Sequence, residues 1–234
     1  MKEIKSVIIK SKEWNTDFQF KPLEEEEMKA ITEHIEKNVG KIEGIFHEFL
    51  SDNVHIDICL IKPTEKRPYN ILVTMGMSAK PMNIPKGYNF PYAELVIYLP
   101  KNWKLSQDDF KDEKNYWPIR WLKKLAVYPH ACNTYIGIQH TIPNEGNPPK
   151  SFAENTKLCC MLVDAPVLTE DLFNLKLKNK TIAFWNLFPI YKEEMDYKLE
   201  KGYEELMNRF EKNNVSNVVD INRKNLCKRG LFGF

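Results

Sequence analysis

The sequence lacks an excess of charge of either sign. Its 234 residues include 34 Lys and Arg against 32 Asp and Glu, which gives a formal net charge of +2. Proteins that bind a phosphate backbone usually carry a strong basic excess, so we expect no nucleic-acid partner. With 43% hydrophobic residues, the chain can bury a sizeable core, and we expect a globular protein.

Signals for export and for membrane insertion are also missing. The first residues, MKEIKSVIIKSKEW, scatter charges through the segment and include no apolar stretch followed by small residues, unlike a secretory signal. The longest uncharged run, 125–144, contains Pro129, His130 and Gln139, which are costly in hydrocarbon. We therefore expect a cytoplasmic protein that makes no membrane contact.

Paired cysteine spacing is absent as well. The cysteines form an odd set without a C-x-x-C pair, at positions 59, 132, 159, 160 and 227. A zinc site needs close paired ligands, so we expect no metal and no cofactor. The segments CLIK and LCCMLV place three of the cysteines inside apolar runs, which predicts buried, reduced thiols of a cytosolic protein.

Three segments have the pattern of a helix. In the first, KPLEEEEMKAITEHIEKNVG, Pro22 stands in the first turn and Gly40 at the end. The apolar residues Met28, Ile31 and Ile35 recur between them at helical spacing. This segment predicts a helix with one apolar face.

The other two helical segments lie in the second half of the chain. NYWPIRWLKKLAVYP has Pro118 in its first turn, Lys123 and Lys124 directed outward, and Pro129 at its end. YKEEMDYKLEKGYEELMNRF predicts one long amphipathic helix. Its Gly202 would cost the helix about 1 kcal/mol against Ala, so we expect a structural role for Gly202, with another element packed closely there.

Short apolar runs between breaks predict strands. IEGIFHEFL, VHIDICLI, NILVTMG and AELVIYLP predict a meander of four strands, and TYIGIQHTI, KLCCMLVDAP and KTIAFWNLFPI resume the sheet. Alternation in HIDICLI predicts two faces, one with His55, Asp57 and Cys59 and the other with Ile56, Ile58 and Leu60.

The segment VTMGMSAKPM, 73–82, poses the question of a serine nucleophile. Ser78 fails the Gly-x-Ser-x-Gly pattern because Lys80 occupies the position of the second glycine, and no strong helix follows at once. The structural interpretation is a corner at which Gly76 takes a positive φ and Ser78 hydrogen-bonds the local backbone.

A second candidate site combines His47, Glu48, His55 and Asp57. A histidine and a carboxylate two residues apart on a strand can join another histidine across a hairpin to bind a metal. A histidine and an aspartate that face each other across strands also commonly satisfy a buried polar pair, and His55 and Asp57 are then structural. Both interpretations stay open at the level of sequence.

Aromatic residues make up 12% of the chain. They could form a base-stacking platform, but the near-neutral charge argues against one. Most of the rings lie on the apolar faces of predicted elements, which favours core packing. The five tryptophans are Trp14, Trp103, Trp117, Trp121 and Trp185.

Seven blocks in order carry a resemblance to a known family. They are IFHEFLSDNVHIDICLIKP, VTMGMSAKPM, YAELVIYLP, WPIRWLKKLAVYP, NTYIGIQHTIPN, FWNLFPIYKEEMDYKLEKGYEELMNRF and VVDINRKN. Together they resemble the Suppressor of fused domain family. The resemblance implies an α/β (α+β) fold, with a mixed, mainly antiparallel sheet flanked by helices. We expect one domain over 1–234, with its core at about 42–225 and an N-terminal extension, a strand and a helix, over 1–40.

The resemblance also implies a function. The family has no known catalytic centre and acts as a protein-binding module; its founding animal member grips a Gli peptide strand between this domain and a C-terminal one. The chain ends about ten residues after VVDINRKN, so we do not expect that clamp. Stand-alone bacterial relatives are interpreted as immunity proteins, antitoxins that bind a toxin of the same cell. The richness in Lys, Asn and Ile fits an AT-rich bacterial genome.

We therefore predict a non-enzymatic protein that neutralises a cognate toxin by direct binding. The contact residues that we expect lie in or beside the loop after Gly76, where flexible methionines and aromatic rings suit an adaptable patch. They are Met77, Met82, Tyr88, Phe90 and Tyr92. Two alternatives remain, a regulatory adaptor and a metal-dependent enzyme that uses His55 and Asp57.

Overall fold

The computed structural model describes residues 22–47, 49–51 and 54–228, and at 49–51, 54 and 55 it describes the backbone only. The described residues form four α-helices, α1 (Glu25–Asn38), α2 (Glu113–Ala131), α3 (Lys192–Lys201) and α4 (Tyr203–Lys212). The strands are β1 (Gly44–Phe46), β2 (Phe49–Ser51), β3 (Val54–His55), β4 (Asp57–Ile61), β5 (Tyr69–Met75), β6 (Tyr92–Pro100), β7 (Thr141–Pro143), β8 (Cys160–Asp164), β9 (Asn174–Lys176) and β10 (Thr181–Ile190).

The fold centres on an eight-stranded mixed sheet. Seven strands follow the order β1-β4-β5-β6-β10-β8-β7, and β9 pairs with β10 beside β8. All pairs are antiparallel except β6 with β10. The predicted meander is therefore confirmed as β1, β4, β5 and β6, with the small β2–β3 hairpin inserted between its first two strands. The expected fold class, α/β with a mainly antiparallel sheet flanked by helices, is also confirmed.

Helices cover both faces of this sheet. On β6 and β10 the side chains alternate, so Leu95 and Trp185 join the core beneath α2, while Val96 and Phe184 join the core beneath α1. Further along this second face, Phe188 joins a third cluster with residues of α4. Because all three clusters bury apolar side chains against one sheet, the layers hold each other in place.

The face alternation predicted for HIDICLI is confirmed where side chains are described. Ile56, Ile58 and Leu60 lie in the core beneath α2, and Cys59 lies in the core beneath α1. The side chain of His55 lies outside the described residues. So do Trp14 and the N-terminal strand that we expected before α1.

Tryptophan serves as core material on the α2 side. Trp117, Trp121 and Trp185 are at most 2% exposed, and the half-buried Trp103 packs against the same cluster with its ring 5.8 Å from that of Trp117. The core-packing interpretation is confirmed for these four rings. Among the described residues, no helix has the length and apolarity that a bilayer crossing needs.

Helix α2 begins earlier than its proline suggested. It starts at Glu113, so Pro118 lies in the second turn, and it continues past Pro129 to Ala131. A proline cannot donate to the carbonyl four residues before it. The carbonyl of Lys114 instead accepts a hydrogen bond from Asn155 Nδ2 at 3.4 Å. A side chain from a distant loop thus compensates for the missing helical bond.

The prediction that Lys123 points outward is wrong. Lys123 is only 5% exposed, and its Nζ lies 5.8 Å above the centre of the Tyr116 ring. Helix α2 is enclosed on more sides than a surface helix, so the aliphatic stem of this lysine lies against protein. Lys124 keeps more solvent contact and pairs with Glu145 at 3.0 Å.

The predicted long C-terminal helix is two helices. Gly202 has φ +99° and ψ 163°, which ends α3 and begins α4. A Cβ built at Gly202 would meet nothing within 4 Å, so the close packing that we expected there is absent. Its structural role is conformational, since a positive φ favours glycine.

Two other sequence predictions shift in extent. Of the predicted strand TYIGIQHTI, only the last residues enter β7, because Gln139 takes a φ of +70° and turns the chain. Helix α1 begins at Glu25, three residues after Pro22, and buries Ile31 and Ile35 while Met28 is 37% exposed. The sequence patterns identified the right segments and misplaced their ends.

The conformation of Gly202 gives a test of stability. Gly202→Ala should destabilise the fold by about 1–3 kcal/mol, because an L-residue is strained at positive φ even where space is open. Gly44→Ala is the matched control, since a Cβ there would make ordinary contacts of 3.8 Å with Leu60. Urea unfolding of both variants measures the difference. Equal midpoints for the two variants would show that the break between α3 and α4 does not depend on glycine.

Candidate functional site

The corner after β5 is built around the buried carboxylate of Glu94. Oε1 accepts hydrogen bonds from the backbone N–H of Gly76 at 3.0 Å and from the backbone N–H and hydroxyl of Ser78 at 3.0 and 2.6 Å. Oε2 accepts from the Thr74 hydroxyl at 2.7 Å. Gly76 itself has φ +135°. One side chain of β6 therefore fixes the end of β5 and the turn that follows it.

Ser78 is a member of this network. Its side chain is fully buried and its hydroxyl donates to Glu94, so it is not presented to a substrate. Burial raises the pKa of the Glu94 carboxyl, and the four donors partly offset that rise. The arrangement satisfies a buried carboxyl group and orders a turn, as expected of a structural corner.

Met77 and Met82 lie in the core and not on the loop surface. They are 0% and 4% exposed and belong to the cluster beneath α2. The expectation that both offer flexible side chains to a partner is therefore corrected. The cause is the turn geometry, because the short 3-10 helix Met77–Ala79 rotates Met77 inward toward α2.

The three aromatic residues of the segment remain half-buried. The Tyr88 ring lies edge-on to Tyr135 at 4.9 Å, and the Phe90 ring packs edge-on against Trp185 at 5.4 Å. Tyr92 is the first residue of β6 and not a loop residue. Each ring has one side on the protein and part of its surface exposed.

Two further side chains connect this corner to the helices, and neither role was predicted from the sequence. Lys180 Nζ donates to the Ser78 carbonyl at 3.0 Å, pairs with Glu27 of α1 at 2.7 Å and lies 4.9 Å above the Tyr92 ring centre. His130 of α2 contacts the Met77 carbonyl through Nε2 at 3.1 Å. Since a carbonyl only accepts, Nε2 carries the proton.

The proposed metal cluster reduces to one described pair. His47 Nδ1 lies 2.8 Å from Asp57 Oδ1, and the His47 side chain is 64% exposed. The side chains of Glu48 and His55 lie outside the described residues. Where side chains are described, no three His, Cys, Asp or Glu residues come together as metal ligands. What is present is a polar pair across β4 and the end of β1.

A surface cavity of about 480 Å³ lies at the start of α2, away from the loop. Its lining combines three acidic residues, one lysine and two small residues: Asp112, Glu113, Lys114, Ser151, Ala153 and Glu154. Ser151 has no histidine among these neighbours to serve as a general base. The cavity therefore does not supply a nucleophile and base in reach of each other.

Comparison with known proteins identifies the family. The family model for the Suppressor of fused protein (SUFU) matches residues 52–224. The chain belongs to the Suppressor of fused family. The resemblance inferred from the seven sequence blocks is thereby confirmed. Comparison with curated proteins returns no match.

Solved structures share the fold of this Suppressor of fused member. A SUFU homolog from Neisseria gonorrhoeae FA 1090 is similar with a TM-score of 0.61 and 15% identity, over 87% of this chain and 98% of the homolog. The structure of a Sufu–Fu complex gives a TM-score of 0.58 at 14% identity, over 85% and 91% of the two chains. Drosophila Suppressor of Fused gives 0.50 at 14% identity, over 74% of this chain and 42% of the fly protein.

The Glu94 network predicts a graded loss of stability. Glu94→Leu leaves four donors without their acceptor and should cost about 3 kcal/mol or more, whereas Glu94→Gln keeps one carbonyl oxygen and should cost about 1–2 kcal/mol. Glu65→Gln, at an exposed loop position, is the control and should stay within about 0.5 kcal/mol. Denaturant unfolding measures all three. A Glu94→Leu midpoint equal to that of the control would contradict the role given to Glu94.

The buried His130 predicts a dependence of stability on pH. Burial lowers the pKa of His130 from 6.5 to about 4, with the charge of Lys80 acting in the same direction. Between these two values the unfolded chain binds the extra proton, so stability is present above about pH 6.5 and is lost as the pH falls toward 4. His130→Gln keeps an N–H for the Met77 carbonyl but cannot take up a proton. Over this pH range its free energy of unfolding should fall by up to about 3 kcal/mol less than that of the wild type. Parallel pH profiles for wild type and variant would refute this assignment.

Proposed function

We propose that this protein is a non-enzymatic protein-binding module that neutralises a cognate toxin by direct binding in the cytoplasm of the cell that makes it. The observation that carries the proposal is membership of the Suppressor of fused family together with similarity to a structure in which Sufu is in complex with Fu. A module of this kind is proposed to act as a single domain over 1–234. The toxin is proposed as the partner because stand-alone bacterial relatives are interpreted as immunity proteins.

The contact surface proposed for the partner is the segment 80–92. Its methionine, Met82, is buried and is not among the proposed contacts. Tyr88 and Phe90 are the aromatic anchors, and Lys86 and Asn89 beside them are exposed. Anchors of this type contribute most when they are held before binding, because less side-chain freedom is then lost. Tyr135 and Trp185 hold the two rings on their inner sides.

Two other functions have less support. A regulatory adaptor would use the same family property with a different partner, and it predicts that no toxin is bound. A metal-dependent enzyme would need more than the exposed His47–Asp57 pair, which is what the described side chains offer. The buried Ser78 and Glu94 satisfy each other and leave no free nucleophile at the corner.

The decisive experiment is co-expression with the product of the neighbouring gene. If that product is toxic, this protein should restore growth and bind it with a dissociation constant on the order of nanomolar, about −12 kcal/mol. Excess partner should raise the melting temperature, because it binds only the folded state. A toxic product that is neither bound nor silenced would end the immunity proposal.

Variants of the loop test the contact surface separately. Tyr88→Ala should weaken binding by at least tenfold with little loss of stability, and adding Phe90→Ala should weaken it further. Because Phe90 also contacts Trp185, unfolding of each variant is measured alongside binding. The control is Val167→Ala with Leu168→Ala, an exposed apolar pair elsewhere on the surface. Loss of affinity in the control and not in the loop variants would show that the partner contacts Val167 and Leu168 and not the loop.

A further inference from the structure

Three sulfur atoms meet where β8 approaches the start of α3. The Sγ atoms of Cys159 and Cys160 lie 3.8 Å apart, and Cys160 Sγ lies 3.5 Å from Met195 Sδ. Cys159 precedes the first residue of β8, so the two neighbouring side chains are not forced to opposite faces as they would be inside a regular strand. Both belong to the same buried cluster, with Met195 packed against it.

The contact between the two sulfur atoms shifts the pKa values of the two thiols in opposite directions. The hydrogen bond from Cys160 lowers the pKa of Cys159, burial opposes this shift, and a backbone N–H at Lys192, the first residue of α3, supports it. The same sulfur contact, followed by burial, raises the pKa of Cys160. Glu193 and Asp196 oppose ionisation, and Lys192 favours it. Cys159 is therefore the more acidic of the two thiols.

We propose that Cys159, Cys160 and Met195 form a binding site for one Cu(I) ion. Two sulfur ligands bound at about 2.3 Å from one ion, the thiolate distance known for zinc, are at most about 4.6 Å apart. The separations of 3.8 and 3.5 Å both lie within this limit. Met195 is half-buried, whereas Cys159 and Cys160 are 4% and 0% exposed, so the thioether is the ligand with the most solvent contact.

The ligand set selects Cu(I) over other ions. Thiolate and thioether are soft ligands that favour Cu(I), whereas zinc is almost always held by four ligands drawn from Cys, His and carboxylates. Over the residues with described side chains, no three such groups converge. The step balances when each thiol releases its proton to solvent as it binds: two thiolates and one monovalent cation leave a single negative charge, which the nearby Lys192 favours.

Competition with a chromophoric Cu(I) chelator tests the site in reduced protein under anaerobic conditions. The wild type should withdraw one equivalent of Cu(I) from the chelator, and Cys159→Ser and Cys160→Ala should each withdraw at least tenfold less. Met195→Leu should weaken binding while keeping the core packed. Cu(I) should also raise the melting temperature of the wild type and not of the two cysteine variants.

Two matched controls distinguish this site from adventitious thiol binding. Cys132→Ser removes a buried cysteine and Cys227→Ser a half-exposed one, and neither residue is one of the three proposed ligands. Both variants should retain the full equivalent. Loss of binding in Cys227→Ser, retention of it in Cys160→Ala, or no Cu(I) withdrawn by the wild type would each overturn the proposal. Circular dichroism confirms folding of each variant, and the result is independent of any protein partner.

Discussion

The buried carboxyl group of Glu94 is the constraint on which the loop side of this protein depends. A carboxylate in the middle of a sheet is costly unless donors surround it, and here the donors are the backbone and hydroxyls of the segment that must turn. The same hydrogen bonds therefore offset the free-energy cost of burying the carboxyl group and order the turn. Gly76 is required because only its positive φ brings both N–H groups onto one oxygen.

The other ties to this corner come from both faces of the sheet. His130 reaches the Met77 carbonyl from α2, and Lys180 joins the Ser78 carbonyl to Glu27 of α1. The consecutive carbonyls of Met77 and Ser78 are thus bound from opposite faces of the sheet, one by α2 and the other through Lys180 to α1. Since each layer is fixed by its own apolar cluster, displacement of the corner would require one helix to move relative to the sheet.

Much of the fold could be predicted from sequence because apolar alternation is a local signal. HIDICLI specified its two faces correctly, since side chains alternate along a strand. The errors at Lys123 and Gly202 arise differently. An apolar stripe shows which face of a helix is apolar, but it does not show whether other residues cover the opposite face, as they do at Lys123. The stripe also continues across Gly202, where the backbone ends the helix.

The candidate site was less predictable because its partners are distant in sequence. Glu94 was visible as a charge inside an apolar run, which is a signal for a buried polar network, but nothing local names Ser78 as its partner 16 residues away. The same holds for the sulfur cluster, where Met195 follows Cys160 by 35 residues. The prediction that Met77 lies on the surface failed for a related reason. The 3-10 turn that follows the strand changes which side chain points inward, and the sequence does not show that turn.

The burial of the methionines changes the kind of recognition that we propose for this loop. Flexible thioethers adapt to several partners by repacking, whereas rings held edge-on by Tyr135 and Trp185 keep one orientation. A surface of this second kind loses little conformational entropy on binding, so its affinity depends on how well a single partner fits it. Glu94, His130 and Lys180 also fix the backbone of residues 76–78, from which this segment continues. The contact surface that we propose is therefore one that selects a single partner and does not accommodate many.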